Sequence, residues 1–361
     1  MNHNKQYAYD HPPLSFDFRQ SVDRFFVEEV PLYDFTGKGN HLILKIEKSD
    51  MSTWKLITVL AKAADISDKE IGYAGLKDKS ATTIQYFSLP KQAQKTLMKN
   101  LTTPRVKILE SVLNKSPLKI GHLKGNRFKI ILHHIEEKDA KRFDAIGKKM
   151  MSEGIPNYYG YQRFGEDGQS DLQGKKIAHS GKRLKGSREK LMVAAYQSRL
   201  FNNWLGERVR ISRTVEELSA KESAEKLRFP LALTEALRRQ PQRFKLFLGD
   251  ILLPYPHGRT RFVNDMTKAS SDFGARRVSP TGLLCGSNAM RAKNDAYHLE
   301  APFDDSELQN LRGDRRFAWI WPEAFSTQYN RRERSLEVSF YLPKGAYATT
   351  LLEEIGKHPL K

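Results

Sequence analysis

The sixteen residues Gly72 to Phe87, G-Y-A-G-L-K-D-K-S-A-T-T-I-Q-Y-F, decide how the rest of the chain is read. Ile71 to Ala74 has the composition of a short strand, and Thr82 to Leu89 that of a longer one ended by Pro90. Between them lies a polar turn entered through Gly75. In that turn a single acid, Asp78, stands between Lys77 and Lys79. A carboxylate flanked by two ammonium groups is well placed to stay ionised beside a polyanion. Alone, K-D-K in a polar turn reads as a solvated loop, so its weight depends on what surrounds it.

The surroundings are strongly cationic. Among 361 residues, 61 Lys and Arg outnumber 42 Asp and Glu, a net charge of +19. Such an excess implies a polyanionic partner, because phosphate neutralisation supplies much of the affinity of proteins for nucleic acid. The bases are clustered. Gly174 to Lys190 (G-K-K-I-A-H-S-G-K-R-L-K-G-S-R-E-K) sets seven of them against Glu189, and further groups are Arg276-Arg277, Arg312 to Arg316 and Arg331 to Arg334. No cationic stretch is joined to a large apolar helical face, which disfavours a membrane surface. No apolar run approaches the ~18 residues that span a bilayer, and the N-terminus is polar without a secretory core. One cysteine, Cys285, excludes a disulfide framework and a multi-cysteine metal site. These features predict a soluble cytoplasmic monomer of about two domains.

Residues 14 to 47 read as short strands, with Phe25, Val27 and Val30 alternating before a hairpin turn at Gly37-Lys38-Gly39-Asn40 and a strand His41 to Ile46. Ser52 or Thr53 caps a predicted helix with the apolar stripe Trp54, Ile57, Leu60, Ala61 and Ala64. Strands are predicted at Arg105 to Val112 and Arg127 to Leu132, and an amphipathic helix at Asp139 to Glu153. From residue 157 to about 315 the pattern is mainly helical, with a long helix Arg188 to Val209 and a loop-rich stretch at 250–295. A strand returns at Leu336 to Tyr341, followed by a helix from Ala348 to Ile355. The expected fold class is α+β: a mixed or antiparallel sheet core drawn from both chain ends, with a largely helical insertion. The expected divisions are 1–156, 157–317 and 318–361.

Several chemistries have no sequence support. There is no G-x-x-x-x-G-K-[ST] phosphate loop, no H-E-x-x-H, no G-x-S-x-G elbow and no clustered carboxylate set. The pair His133-His134, whose side chains alternate faces on a strand, reads as structural. The chemistry is therefore expected to need neither a metal nor a cofactor.

Five blocks together resemble the TruD family of tRNA pseudouridine synthases. They are Ala74 to Gln85 (A-G-L-K-D-K-S-A-T-T-I-Q), Gly121 to Phe128 (G-H-L-K-G-N-R-F), Gly154 to Gly165 (G-I-P-N-Y-Y-G-Y-Q-R-F-G), Ala194 to Asn202 and Ser339 to Thr349. The resemblance implies a pseudouridine synthase core with an inserted RNA-binding domain, acting on uridine 13 in the D arm of tRNA. It makes Asp78 the nucleophile and places Phe25, Asn126, Phe128 and Tyr347 in the uridine pocket. Phe26 is a neighbouring alternative to Phe25, and Tyr347 stands where the family usually has phenylalanine. Lys77, Lys79 and Arg19 are the bases expected to support the carboxylate, with the contacting one left open. Tyr347 or Tyr86 is a candidate to assist loss of the carbon-5 proton. Lys182, Arg183, Lys185 and Arg163 are expected to hold tRNA phosphates. A non-catalytic RNA-binding or RNA-chaperone protein on the same fold is the alternative. Against it stands Asp78 itself, since a carboxylate facing phosphates weakens binding unless it serves the chemistry.

Overall fold

The structure is a computed structural model in which residues 5–165, 167–181, 184 and 186–360 are described. The chain forms two compact units. The first is Leu14–Met151 with Pro322–Gly345; the second gathers the chain before Leu14, Ser152–Trp321 and the chain from Ala346. The cuts at 151/152 and 321/322 fall within a few residues of the sequence divisions, while both chain ends belong to the unit that holds the middle of the chain.

In the first unit, strands β1 (Phe25–Pro31), β2 (His41–Ser49), β3 (Gly72–Tyr73), β4 (Thr82–Pro90), β5 (Val106–Asn114) and β6 (Leu123–Leu132) join two later strands, Glu323–Asn330 and Ser335–Pro343. Starting from Glu323–Asn330, the order runs through Ser335–Pro343 to β6, β1, β4, β2 and β5, with β3 alongside β4. Only β1 and β4 are parallel; the other pairs are antiparallel. Because β4 lies between β1 and β2, the Gly37–Asn40 turn is a crossover and not the hairpin expected from the sequence. Its Gly39 has φ +130°, and a Cβ there would lie 2.3 Å from the Asn114 carbonyl oxygen.

One face of this sheet is apolar at both ends. Leu42, Leu44 and Ile46 of β2 and Phe87 and Leu89 of β4 pack with Leu56, Ile57, Leu60 and Ala64 of helix α1 (Thr53–Ala64) and with Leu97 of helix α2 (Gln94–Asn100). Ser52 caps α1 by accepting from Lys55 N. Trp54, expected in the buried stripe, is 60% exposed, whereas Leu56 is buried. At the other end, Phe143 of helix α3 (Glu137–Glu153) stacks on Phe325, which stacks on Phe340. A Cβ at Gly147 of α3 would lie inside the Phe325 ring, so glycine is what lets the helix approach. The opposite face is polar, with Lys45 paired to Glu28 and Lys129 lying 4.8 Å over the Phe26 ring. His133 is bridged to Asp17 by two backbone hydrogen bonds.

The second unit is built around the 32-residue helix Gly186–Glu217, which extends the expected helix to include Arg210 to Glu217. Its buried Arg208 pairs bidentately with Asp250 at 2.8 Å. Residues 250–295, expected as loops, supply strands Ile251–Pro254, Arg261–Phe262 and Val278–Leu284 to a four-stranded sheet completed by Asp314–Phe317. Two of these strands are too short for alternation to reveal them, and Val278–Leu284 is buried at six of its seven positions and so does not alternate. The segment before Leu14 is held to the final helix Ala348–Gly356: Tyr9 N donates to Glu354, and Lys357 Nζ to the Tyr9 carbonyl. No helix among the described residues is long and apolar enough to cross a membrane.

Candidate active site

Along the inward face of the first unit's sheet, apolar side chains give way in the central strands to Lys48 on β2, Thr83 and Gln85 on β4, Glu29 on β1 and Asn126 on β6. Lys48 and Glu29 are 0% and 1% exposed, and Thr83 and Gln85 are also buried. Strand register makes neighbours of Lys48 and Thr83, of Thr83 and Val27, and of Glu29 and Asn126. Burying polar groups costs free energy unless they find partners, so four buried ones with Asn126 beside them on adjacent strands of one face mark a site. Sequence alternation carried this signal: Glu29 and Lys48 fall on the inward phase of Phe25-Val27 and of Leu42-Leu44-Ile46. Val30, expected inward, is off that phase.

Over this polar stretch lies the turn that carries Asp78. Thr53 Oγ1 accepts from Lys77 N at 2.9 Å and donates to Gln85 Oε1 at 3.3 Å, and Gln85 Nε2 donates to the Gly75 carbonyl. Gly121 N bonds the Ala74 carbonyl at 2.7 Å, tying the β5–β6 loop to the same turn. The A-T-T-I-Q continuation of the motif thus has a physical reason, since Gln85 reaches back to hold the turn that precedes its own strand.

The bases around Asp78 play different parts. Lys77 pairs with buried Glu29 at 2.7 Å. Glu29 also accepts from Tyr86 N at 3.4 Å, and burial, outweighing Lys77, holds its carboxyl above the ordinary glutamate range. Lys79 and Arg19 are exposed. The base beneath the turn is Lys48, which was not among the expected residues: its Nζ donates to the Met51 carbonyl at 2.5 Å and to the Asp78 carbonyl at 3.1 Å. Burial lowers its pKa to about 8, against the attraction of Asp78 and with the repulsion of Lys77.

Asn126 is half-buried, and its Oδ1 is buried without a hydrogen-bond partner among the described residues. Phe128, two residues on, shares its face and meets Phe25 edge-on at 6.1 Å and Phe340 in a stack at 5.4 Å. Phe25 and Phe128 are both buried in the sheet's aromatic packing. Phe26 points to the opposite face, under Lys129, so Phe25 is the one that shares a face with Asn126. Tyr86 also lies on that opposite face, 5.4 Å from the Phe35 ring.

The remaining expected residues belong to the second unit. Tyr347 precedes the final helix, and its ring meets Tyr159 at 6.0 Å; a Cβ on Gly160 would lie 2.9 Å from it. Arg163 donates to Ser198 Oγ at 2.8 Å and to the Ala194 carbonyl at 3.2 Å, which fixes it to the long helix. Lys182, Arg183 and Lys185 lie outside the described residues. Among the described residues, no group of three or more His, Cys, Asp or Glu side chains is gathered to hold a metal ion.

The family model described as tRNA pseudouridine synthase D (TruD) matches residues 2–183 and 228–355. A curated tRNA pseudouridine synthase D of Wolinella succinogenes is 42% identical, covering 98% of each chain, and one from a Nitratiruptor species is 42% identical with the same coverage. One from Sulfurimonas denitrificans is 41% identical over 98% of this chain and 99% of its own. A crystal structure of a putative tRNA pseudouridine synthase D from Methanosarcina mazei shares the fold, with a TM-score of 0.70 at 21% identity, covering 98% of this chain and 96% of that one. The family match and these relatives define an enzyme of the isomerase class. The chain belongs to the tRNA pseudouridine synthase D (TruD) family.

Proposed function

We propose that this enzyme converts uridine 13 in the D arm of tRNA to pseudouridine, with Asp78 as nucleophile on an extruded base. The observation that carries the reading is the placement of Asp78, on a turn held from below by Lys48 and from its flanks by Thr53 and Gln85. The reaction breaks the bond between ribose carbon 1′ and base nitrogen 1 and makes one from carbon 1′ to base carbon 5. The carbon-5 proton leaves and nitrogen 1 gains one, so the atoms balance with no change of oxidation state. An ionised carboxylate serves either opening step, attack at carbon 1′ or at base carbon 6.

Extruding the base from the arm costs a few kcal/mol. The unpartnered Asn126 Oδ1 suits the N3–H donor of uracil, and Phe25 and Phe128 supply the apolar wall. The residues 157–317, with the basic stretch 174–190, are assigned to the tRNA backbone, recognised by shape and charge more than by base edges.

Release of tritium from tRNA labelled at uracil carbon 5 reads the reaction directly. The expected result is release from a wild-type transcript and none from one with cytidine at position 13. Equal release from both would refute the choice of uridine 13, and none from either would refute the activity on tRNA.

A further inference from the structure

We propose that Lys48 is a positioning residue for the reaction, fixing the backbone of Asp78 from beneath and facing its carboxylate with a buried positive charge. The proposal rests on the reading of Asp78 as nucleophile. Two facts set Lys48 apart from the other nearby bases. Its ammonium is wholly buried, whereas Lys79 and Arg19 are exposed. Its donors tie the turn to the β2–α1 connection, bonding the carbonyls of Asp78 and Met51, whereas the Lys77 ammonium is engaged with Glu29. A lysine on the inward phase of a strand that otherwise buries Leu42, Leu44 and Ile46 is a costly choice for packing alone. It makes sense where a fixed charge must stand under a group that becomes a nucleophile, because a preorganised charge in a dry site needs no reorganisation when the reaction begins.

The groups facing this ammonium are Asp78 and Lys77 on the turn, with Glu29 of β1 balancing Lys77. Burial leaves Lys48 with a pKa of about 8. It is charged below that value and neutral above it, so its hold on the Asp78 carboxylate is present below pH 8 and fades as pH rises through it.

The test uses the full-length enzyme and a tRNA transcript, comparing wild type with Lys48→Met, Lys48→Arg and Asp78→Asn in single-turnover rate, tRNA affinity and urea unfolding. Lys48→Met is expected to lose about 100-fold in rate, the scale for removing one preorganised charge, with tRNA affinity unchanged. The wild-type rate should fall as pH rises through about 8, whereas Lys48→Arg, charged throughout, should recover most of the rate and show no fall there. A folded Lys48→Met with the wild-type rate would overturn the proposal, as would a Lys48→Arg that folds and binds tRNA like wild type but is slowed about 100-fold. The latter keeps the test decisive if Lys48→Met does not fold. An active Asp78→Asn would instead remove the nucleophile reading beneath it, and is distinguished from failure at Lys48 by that variant alone.

Discussion

Replacing Glu29 with Gln would leave the Lys77 ammonium, now paired at 2.7 Å inside the protein, without its counter-charge. Breaking a buried pair by removing one partner costs about 3–5 kcal/mol, so Glu29→Gln should shift the urea midpoint of the sheet unit strongly downward. An unchanged midpoint would mean that the pair does not support the Asp78 turn. At this scale the sequence was informative where chemistry is local. Asp78, Asn126 and Phe128 sit in short motifs, and Phe25 separates from Phe26 as soon as strand register is known. Lys48 was missed because the expected strand stopped at Ile46, one alternation short of it. The flanking bases Lys77 and Lys79 were better advertised, but sequence adjacency places side chains on different sides of a turn: Lys77 turns inward to Glu29 and Lys79 outward to solvent.

Two elements meet the Asp78 turn, and they and the turn each expose a large apolar side chain. Trp54 at the start of α1 is 60% exposed and meets Tyr73 edge-on at 5.7 Å; Leu76 of the turn is 59% exposed, and Ile120 of the β5–β6 loop 76%. Thr53 and Gly121 bond the same turn, so these side chains border it. Exposed apolar surface on segments that also expose Lys55, Lys79 and Lys119 suits nucleotides that have left their stack, for which an aromatic platform contributes about 1–3 kcal/mol per base. Trp54→Ala should therefore weaken tRNA binding at least several-fold while leaving the unfolding midpoint unchanged; unaltered affinity would take α1 out of the RNA interface. Elements with sustained periodicity, such as β2, β4, α1 and α3, were legible in the sequence. The strand Glu323–Asn330 and the small sheet within 250–317 were not, because short strands broken by bulges and prolines carry too little pattern.

Across the whole molecule, the +19 charge and the order of the motif blocks told of an RNA enzyme whose sheet draws on distant parts of the chain. They did not tell which unit the terminal segments join, since that depends on bonds between residues far apart in sequence, such as Tyr9 Oη to the Gly154 carbonyl and Arg213 to the Tyr7 carbonyl. Reversing the charges of Lys182, Arg183 and Lys185 should weaken tRNA binding and flatten its dependence on salt; an unchanged salt slope would assign the phosphates to other bases. The most direct test of the account is to map pseudouridine in tRNA incubated with wild-type enzyme and with Asp78→Asn, measuring tRNA affinity for both. The account predicts modification at uridine 13 by the wild type alone, with both proteins binding tRNA nearly equally. Modification by Asp78→Asn, or loss of binding in step with loss of activity, would contradict the role given to Asp78.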